Sequence, residues 1–267
     1  MSASTTAVER AGWRRAWRRL PGGGLRGLLP LVVLLGLWQL TGSETSVSFP
    51  TPNTWLRALR DMYEAGVLGP AVGTTLETFA YSLVIATILG VLLGMIIGSS
   101  RLVDRALTPI MDFFRSLPPP AVIPVAGLIL GVSQTMSITV VVISIIWPIL
   151  LNTVAAMRAV PRVRLEMSRT LGVSRAERLL KVVVPSLLPG ITVGVRIAVS
   201  ISLIVTLVVD ILGSGGGIGL LLTSRQQTFD APAVWGLLLL IGIFGFALNA
   251  LIGLAERLVL RNWPAAV

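Results

Sequence analysis

The chain of 267 residues is 54% hydrophobic and only 13% charged, with a mean hydropathy of +0.86, whereas soluble domains carry roughly 25% charged residues. That excludes a soluble enzyme and points to an integral membrane protein. With no Cys, no His and a formal net charge of +10, the chain has no thiol nucleophile, no disulfide and no common zinc ligand set. Its single lysine, Lys181, follows Leu180, so a G-x-x-x-x-G-K-[ST] phosphate loop cannot form. Any ATP used must be bound by another chain.

Apolar stretches long enough to cross a hydrocarbon layer of about 30 Å lie near 25–42, 74–98, 106–131, 136–157, 186–212 and 233–256. The expected fold is all-α: a polytopic membrane bundle of about six transmembrane helices. The division is a basic N-terminus (1–27), a first span with its loop (28–73), a transmembrane unit (74–260) containing a polar loop (158–185), and a tail (261–267). "RAGWRRAWRRLPGGGLRG" reads as a topology anchor, and "QLTGSETS" is a poor cleavage site, so the first span is expected to be retained. After it, "FPTPNTWLRAL" begins a short amphipathic helix. In the second span Gly90, Gly94 and Gly98 recur every four residues, a spacing that lets another backbone come close. The third span holds Pro109, Pro118, Pro119, Pro120 and Pro124 and is expected to be a broken helix facing other protein.

Basic residues set the orientation. Seventeen fall in the N-terminus, the 99–105 loop, the 158–181 loop and the C-terminus, against Arg57, Arg60 and Arg225 in the intervening loops. Both termini and the 158–185 loop are therefore expected in the cytoplasm. The positive charge follows from topology, and nucleic acid is not an expected partner.

Within that loop, Val163, Met167, Thr170 and Leu171 share one helical face, and Arg162 and Glu166 are spaced to pair. Gly172 stands where a left-handed C-terminal cap requires glycine. Ser174 and Glu177 form a capping box that starts a second helix, carrying Arg175, Arg178 and Lys181. Pro185 is expected to end it and Pro189 to open the next span. Two readings of the first helix stay open: it lies on anionic lipid, or it protrudes into a groove of a partner.

The pattern E-x5-G-x9-[IV]-x-[LV]-P, here Glu166, Gly172, Val182, Val184 and Pro185, resembles the EAA loop of ATP-binding-cassette importer permeases. Met167 and Ser168 replace the usual alanines. "FPTPNTWLRAL", "GVLLGMIIGSSRLVDRALTPIMDFFRSLPPPAVIP", "WPILLNTVAAMR" and "VVDILGSGGGIGLLL" extend the resemblance over nearly the whole chain, toward the nitrate, sulfonate and taurine importer group. Ile129 and Leu130 stand where that group commonly has Trp-Phe, and Asp210 where it has Glu. The resemblance implies a multi-pass permease of a prokaryotic inner membrane, without catalytic residues, metal or cofactor of its own. ATP and Mg would sit on cytoplasmic ATPase subunits, a second permease copy would complete the pathway as a homodimer, and a separate binding protein would deliver a small, anionic solute. The ATPase would be met by residues 162–174, through Arg162, Glu166, Met167, Arg169, Thr170, Leu171, Gly172 and Ser174, with Pro185 closing the loop. Arg115, Pro118, Leu130 and Asp210 are the pathway candidates.

Intramembrane charges are costly and call for partners. Arg115 is expected to pair with Asp112, three residues earlier, Arg196 to reach toward the cytoplasm, and Asp210 and Glu77 to meet water near the outer ends of their spans. The outer Gly213–Gly219 loop reads as a gate or a plain flexible turn. Two alternatives compete with the importer: an ion-coupled secondary transporter using Glu77, Asp112 and Asp210 as relay carboxylates, and a non-transporting membrane scaffold.

Overall fold

The computed structural model describes residues 23–44, 46, 48–213 and 216–260. The N-terminal arginine pairs and the 261–267 tail lie outside them. All regular structure among the described residues is helical: α1 (Gly23–Thr41), α2 (Pro52–Glu64), α3 (Leu68–Ser99), α4 (Arg101–Arg115), α5 (Pro119–Leu130), α6 (Gln134–Ala159), α7 (Arg162–Thr170), α8 (Arg175–Arg178), a π-helical turn (Leu179–Val183), α9 (Val184–Gly213), α10 (Gly217–Gln227) and α11 (Ala231–Leu260).

Among the described residues, four helices are long and apolar enough to span a membrane: α3, α6, the run Arg175–Gly213 and α11. The expected third span is two helices, α4 and α5, bent by 90° at their junction. Pro118 makes the break; it is the N-cap of α5, with extended backbone, because a residue before proline is pushed out of the helical region. The described apolar part of the expected first span, Pro30–Thr41, is shorter than the others.

The core is a three-helix slab with α6 in the middle, meeting α3 on one side and α9 on the other. Glycines set both separations. A Cβ at Gly90 would stand 3.0 Å from Ile149, at Gly94 2.6 Å from Thr153 and at Gly98 2.7 Å from Met157. The four-residue glycine repeat of α3 is thus an intramolecular seam against α6. On the other side Gly190 approaches Ala156 and Gly194 approaches Ile149 in the same way. Ile145, Ile149, Val140 and Val141 are completely buried between these neighbours.

Two ion pairs join helices at the end that carries α7. Arg158 of α6 pairs with Asp104 of α4, and Arg196 of α9 reaches Glu256 of α11 at 3.0 Å. At the opposite end, Trp38 of α1, Trp55 of α2 and Trp235 of α11 pack ring against ring with centroids 4.9–5.3 Å apart. The Trp55 indole donates to Pro50 O and the Trp235 indole to Ser48 O, so the apolar rings pack while their polar N–H groups find partners.

Candidate functional site

The loop between α6 and α9 is a built corner. Val160, Val183 and Leu187 form a small buried cluster against which Leu165 packs. Ser168, one turn further along α7, is also buried and donates its hydroxyl to Leu165 O at 2.7 Å. Arg164 ties the same helix to the start of α9 by donating to Ser186 Oγ at 2.9 Å. Leu165 and Ser168 therefore fix the inner side of α7, and Val163 and Met167, each two residues from Leu165 and so about half a turn round the helix, face outward.

Those outward residues are the apolar set that the helical spacing groups together. Val163 is 64% exposed, Met167 61% and Leu171 78%, with Arg162, Glu166, Arg169 and Thr170 exposed around them. Arg162 and Glu166 are both exposed, and among the described residues they do not pair with each other or with another charged side chain.

The corner that follows has a left-handed cap. Gly172 has φ +68° with no atom near a hypothetical Cβ, so glycine is needed for backbone conformation rather than for space. Val173 N–H donates to Ser168 O at 3.1 Å and Gly172 N–H to Arg169 O at 3.0 Å, which satisfies carbonyls that α7 would leave open. Next, Ser174 Oγ accepts from the Glu177 amide at 3.3 Å and donates to the Glu177 carboxylate at 3.0 Å, the expected capping box.

Pro185 and Pro189 behave differently from expectation. Pro185 does not end the second helix, and Pro189 lies inside α9 rather than at its start. The π-helical turn explains this: Val184 N–H bonds back to Leu179 O, five residues earlier, and the wider turn shifts the ladder where Pro185 has no N–H to give. One continuous helical rod, Arg175–Gly213, therefore runs from the corner through the bundle.

The pathway candidates are not gathered into one site. Arg115 pairs with Asp112 at 3.0 Å, beside the bend made by Pro118. Leu130 sits at the far end of α5, where Gly131 (φ +68°) stops the helix. Asp210 contradicts its reading as a water-facing residue: it is 2% exposed, and its Oδ2 accepts a 2.7 Å bond from the Thr75 hydroxyl of α3. Thr75 Oγ1 in turn accepts the Ile218 amide at 2.8 Å. Gly216–Gly219 are packed here, not a free turn. Glu77 is exposed and accepts from Gln134 Nε2 at 3.1 Å. Glu77, Asp112 and Asp210 thus have three separate partners on three separate elements, which is no carboxylate relay.

Spacing pointed to Glu166, Met167, Leu171, Gly172 and Ser174. It missed Arg164, Leu165, Ser168 and Ser186, which seat the helix. Leu165 alone left a signal, an apolar residue off the Val163–Met167 stripe.

Comparison with known proteins agrees with this geometry. Residues 86–262 match the family described as binding-protein-dependent transport system inner membrane component. The nitrate import permease protein NrtB of Leptolyngbya laminosa is 31% identical over 85% of each chain. The bicarbonate transport system permease protein CmpB of Synechococcus elongatus is 29% identical over 88% of this chain and 90% of its own. The putative aliphatic sulfonates transport permease protein SsuC of Bacillus subtilis is 26% identical over 92% of both. In structure, a chain from inward-facing conformations of the MetNI methionine ABC transporter superposes with a TM-score of 0.65 at 20% identity, covering 73% of this chain and 97% of that one, a likeness of fold. The chain belongs to the binding-protein-dependent transport system inner membrane components, the non-catalytic permease subunits of ABC importers, whose ATPase is a separate subunit.

Proposed function

We propose that the chain forms, with a second copy of itself, the pathway of an importer for a small oxyanion of the nitrate, bicarbonate or sulfonate kind. The observation that carries the coupling half of this reading is the uncovered face of α7. Val163, Met167 and Leu171 project from a helix seated on the bundle by Leu165 and Ser168, and apolar side chains held out in water gain ~1.5–3 kcal/mol each when a partner buries them. A cytoplasmic ATPase subunit that carries the ATP and Mg is that partner. Its closure pushes on α7, and the Gly172 corner and the Arg175–Gly213 rod pass the movement into the bundle.

The distribution of basic residues supports placing both termini and α7 on the cytoplasmic side of a prokaryotic inner membrane. The second copy covers α5, where Leu128 is 88% and Ile129 75% exposed beside a helix break, a backbone that needs protein or water around it at membrane depth. On the opposite side a separate substrate-binding protein delivers the solute. The named relatives support the oxyanion class; Arg115, already paired with Asp112, adds no decisive cation.

Reconstitution tests this reading. The permease and its ATPase in liposomes are given the binding protein loaded with nitrate, bicarbonate or an alkanesulfonate, and ATP hydrolysis is followed. Stimulation by one loaded binding protein supports it. Uptake driven by a pH gradient without ATP sinks it.

A further inference from the structure

The transport reading leaves one charged, buried group unused. We infer that Asp210 is a positioning residue that caps α10 from a different helix and clamps it to α3, so that the adjoining ends of α3 and α9 move with α10 as one rigid block during transport. The inference rests on the permease reading above and assigns Asp210 a role away from the solute.

Three elements meet at two side chains. Thr75 of α3 donates to Asp210 Oδ2 of α9 and accepts the Ile218 amide of α10, and the Gly219 amide of α10 also faces the carboxylate. The first amides of a helix lack partners within it. Gly216, the N-cap of α10, has no side chain to offer, and no capping bond is made locally. The Asp210 carboxylate and the Thr75 hydroxyl supply what the local sequence does not, and the positive end of α10 favours the anion.

Packing leaves this arrangement little freedom. A Cβ at Gly217 would overlap the Asp210 carboxylate and stand 2.6 Å from Thr75 Oγ1, and one at Gly219 would stand 2.7 Å from both Asp210 Cβ and Leu207 O. Gly216 and Gly217 have φ values of +106° and +89°, which an L side chain adopts only with strain. Parting α10 from α3 would leave a carboxylate, a hydroxyl and two amides without partners in an apolar setting, and such losses are expensive. Relative motion during the cycle therefore lies outside this block.

The absence of native cysteine makes the test direct. Spin labels on Thr74→Cys and Ser224→Cys, in the assembled transporter in liposomes, report the α3–α10 distance at rest and with the ATPase trapped by vanadate. One distance distribution, unchanged between the two conditions, is expected. In an Asp210→Ala background the distribution should broaden and ATPase stimulation by loaded binding protein should fall roughly tenfold, the loss expected for one buried charged bond. Thr75→Val should act in the same direction and Thr75→Ser should restore both readouts. A distance that shifts on trapping in the otherwise native chain, or an assembled Asp210→Ala transporter with unchanged distance and stimulation, overturns the inference. Should Asp210→Ala fail to assemble, the native-background distances and the Thr75 pair decide. Failure of the permease reading would be seen separately, as absent stimulation in the unsubstituted transporter.

Discussion

The two ends of the bundle solve opposite problems. At the α10 end a buried carboxylate is answered from inside the chain: Asp210, Thr75 and the Ile218 amide close on one another. At the α7 end the chain anchors a helix firmly and leaves its apolar stripe uncovered, with Met167 and Leu171 exposed and Gly172 holding a turn that satisfies its own backbone. On the proposed function, the difference separates a region completed by folding from one completed by assembly. Substitutions at the first should be read as losses of order within the permease, and substitutions at the second as losses of a partner.

Gly172→Pro gives the largest expected effect. Proline fixes φ near −65° where the chain needs +68°, and it removes the amide that bonds to Arg169 O. Uptake and stimulated ATP hydrolysis should fall by at least about tenfold while membrane insertion, followed by protease accessibility, is kept. Transport at the unaltered rate would show that the corner does not carry coupling.

Leu171→Ala and Leu165→Ala form a sharper pair, because Leu171, the C-cap of α7, is exposed while Leu165 packs on the bundle. Removing Leu171 should weaken binding of the ATPase subunit by ~2 kcal/mol, about thirtyfold in Kd, with no change in the melting of the isolated permease. Removing Leu165 should instead lower the permease's own thermal stability, since it packs on Val160, Val183 and Leu187. Equal effects of both on both measurements would erase the distinction between the inner and outer faces of α7.

Within the slab, Gly94→Val tests the completed region away from Asp210. Even a Cβ would come within 2.6 Å of Thr153, and overpacking of this kind costs ~1–3 kcal/mol. A lower melting temperature is expected, with ATPase affinity unaltered in the fraction that stays folded.

Local chemistry carried the α7 corner into the sequence in readable form. Gly172, Ser174 and Glu177 act within a few residues of one another, so spacing alone locates the cap and the capping box. That the proline-rich third span is broken was legible for the same reason, but not that the break falls at Pro118 while Pro109 and Pro124 lie inside helices. Partners far apart in the chain were not: Asp210 and Thr75 are separated by 135 residues, and nothing around either names the other. The glycine face of α3 announced close packing without saying that Ile149, Thr153 and Met157 of α6 would fill it. Pro185 misled because a proline reads as a stop, and the π-helical turn that absorbs it depends on the carbonyl ladder rather than on residue type.

The smallest predicted effects separate two contributions to the second half of the corner. Ser174 caps a helix start that must follow directly on the Gly172 turn, and replacing it with alanine leaves the Glu177 amide without its acceptor, a loss of ~1 kcal/mol. Lys181 reaches Glu177 at 3.0 Å one turn along, but both side chains are largely exposed, and such pairs contribute ~0.3–0.5 kcal/mol. Ser174→Ala should therefore reduce ATPase stimulation by a few-fold at most, whereas Lys181→Gln should leave it nearly unchanged at physiological salt. Measured against ionic strength, the Lys181→Gln difference should vanish as screening removes the pair's attraction, and the Ser174→Ala difference should persist because its bond is not between two charged side chains. If both faded with salt, the junction between α7 and the Arg175–Gly213 rod would be held by surface charge rather than by the cap, and the rigid transmission assigned to it would fail.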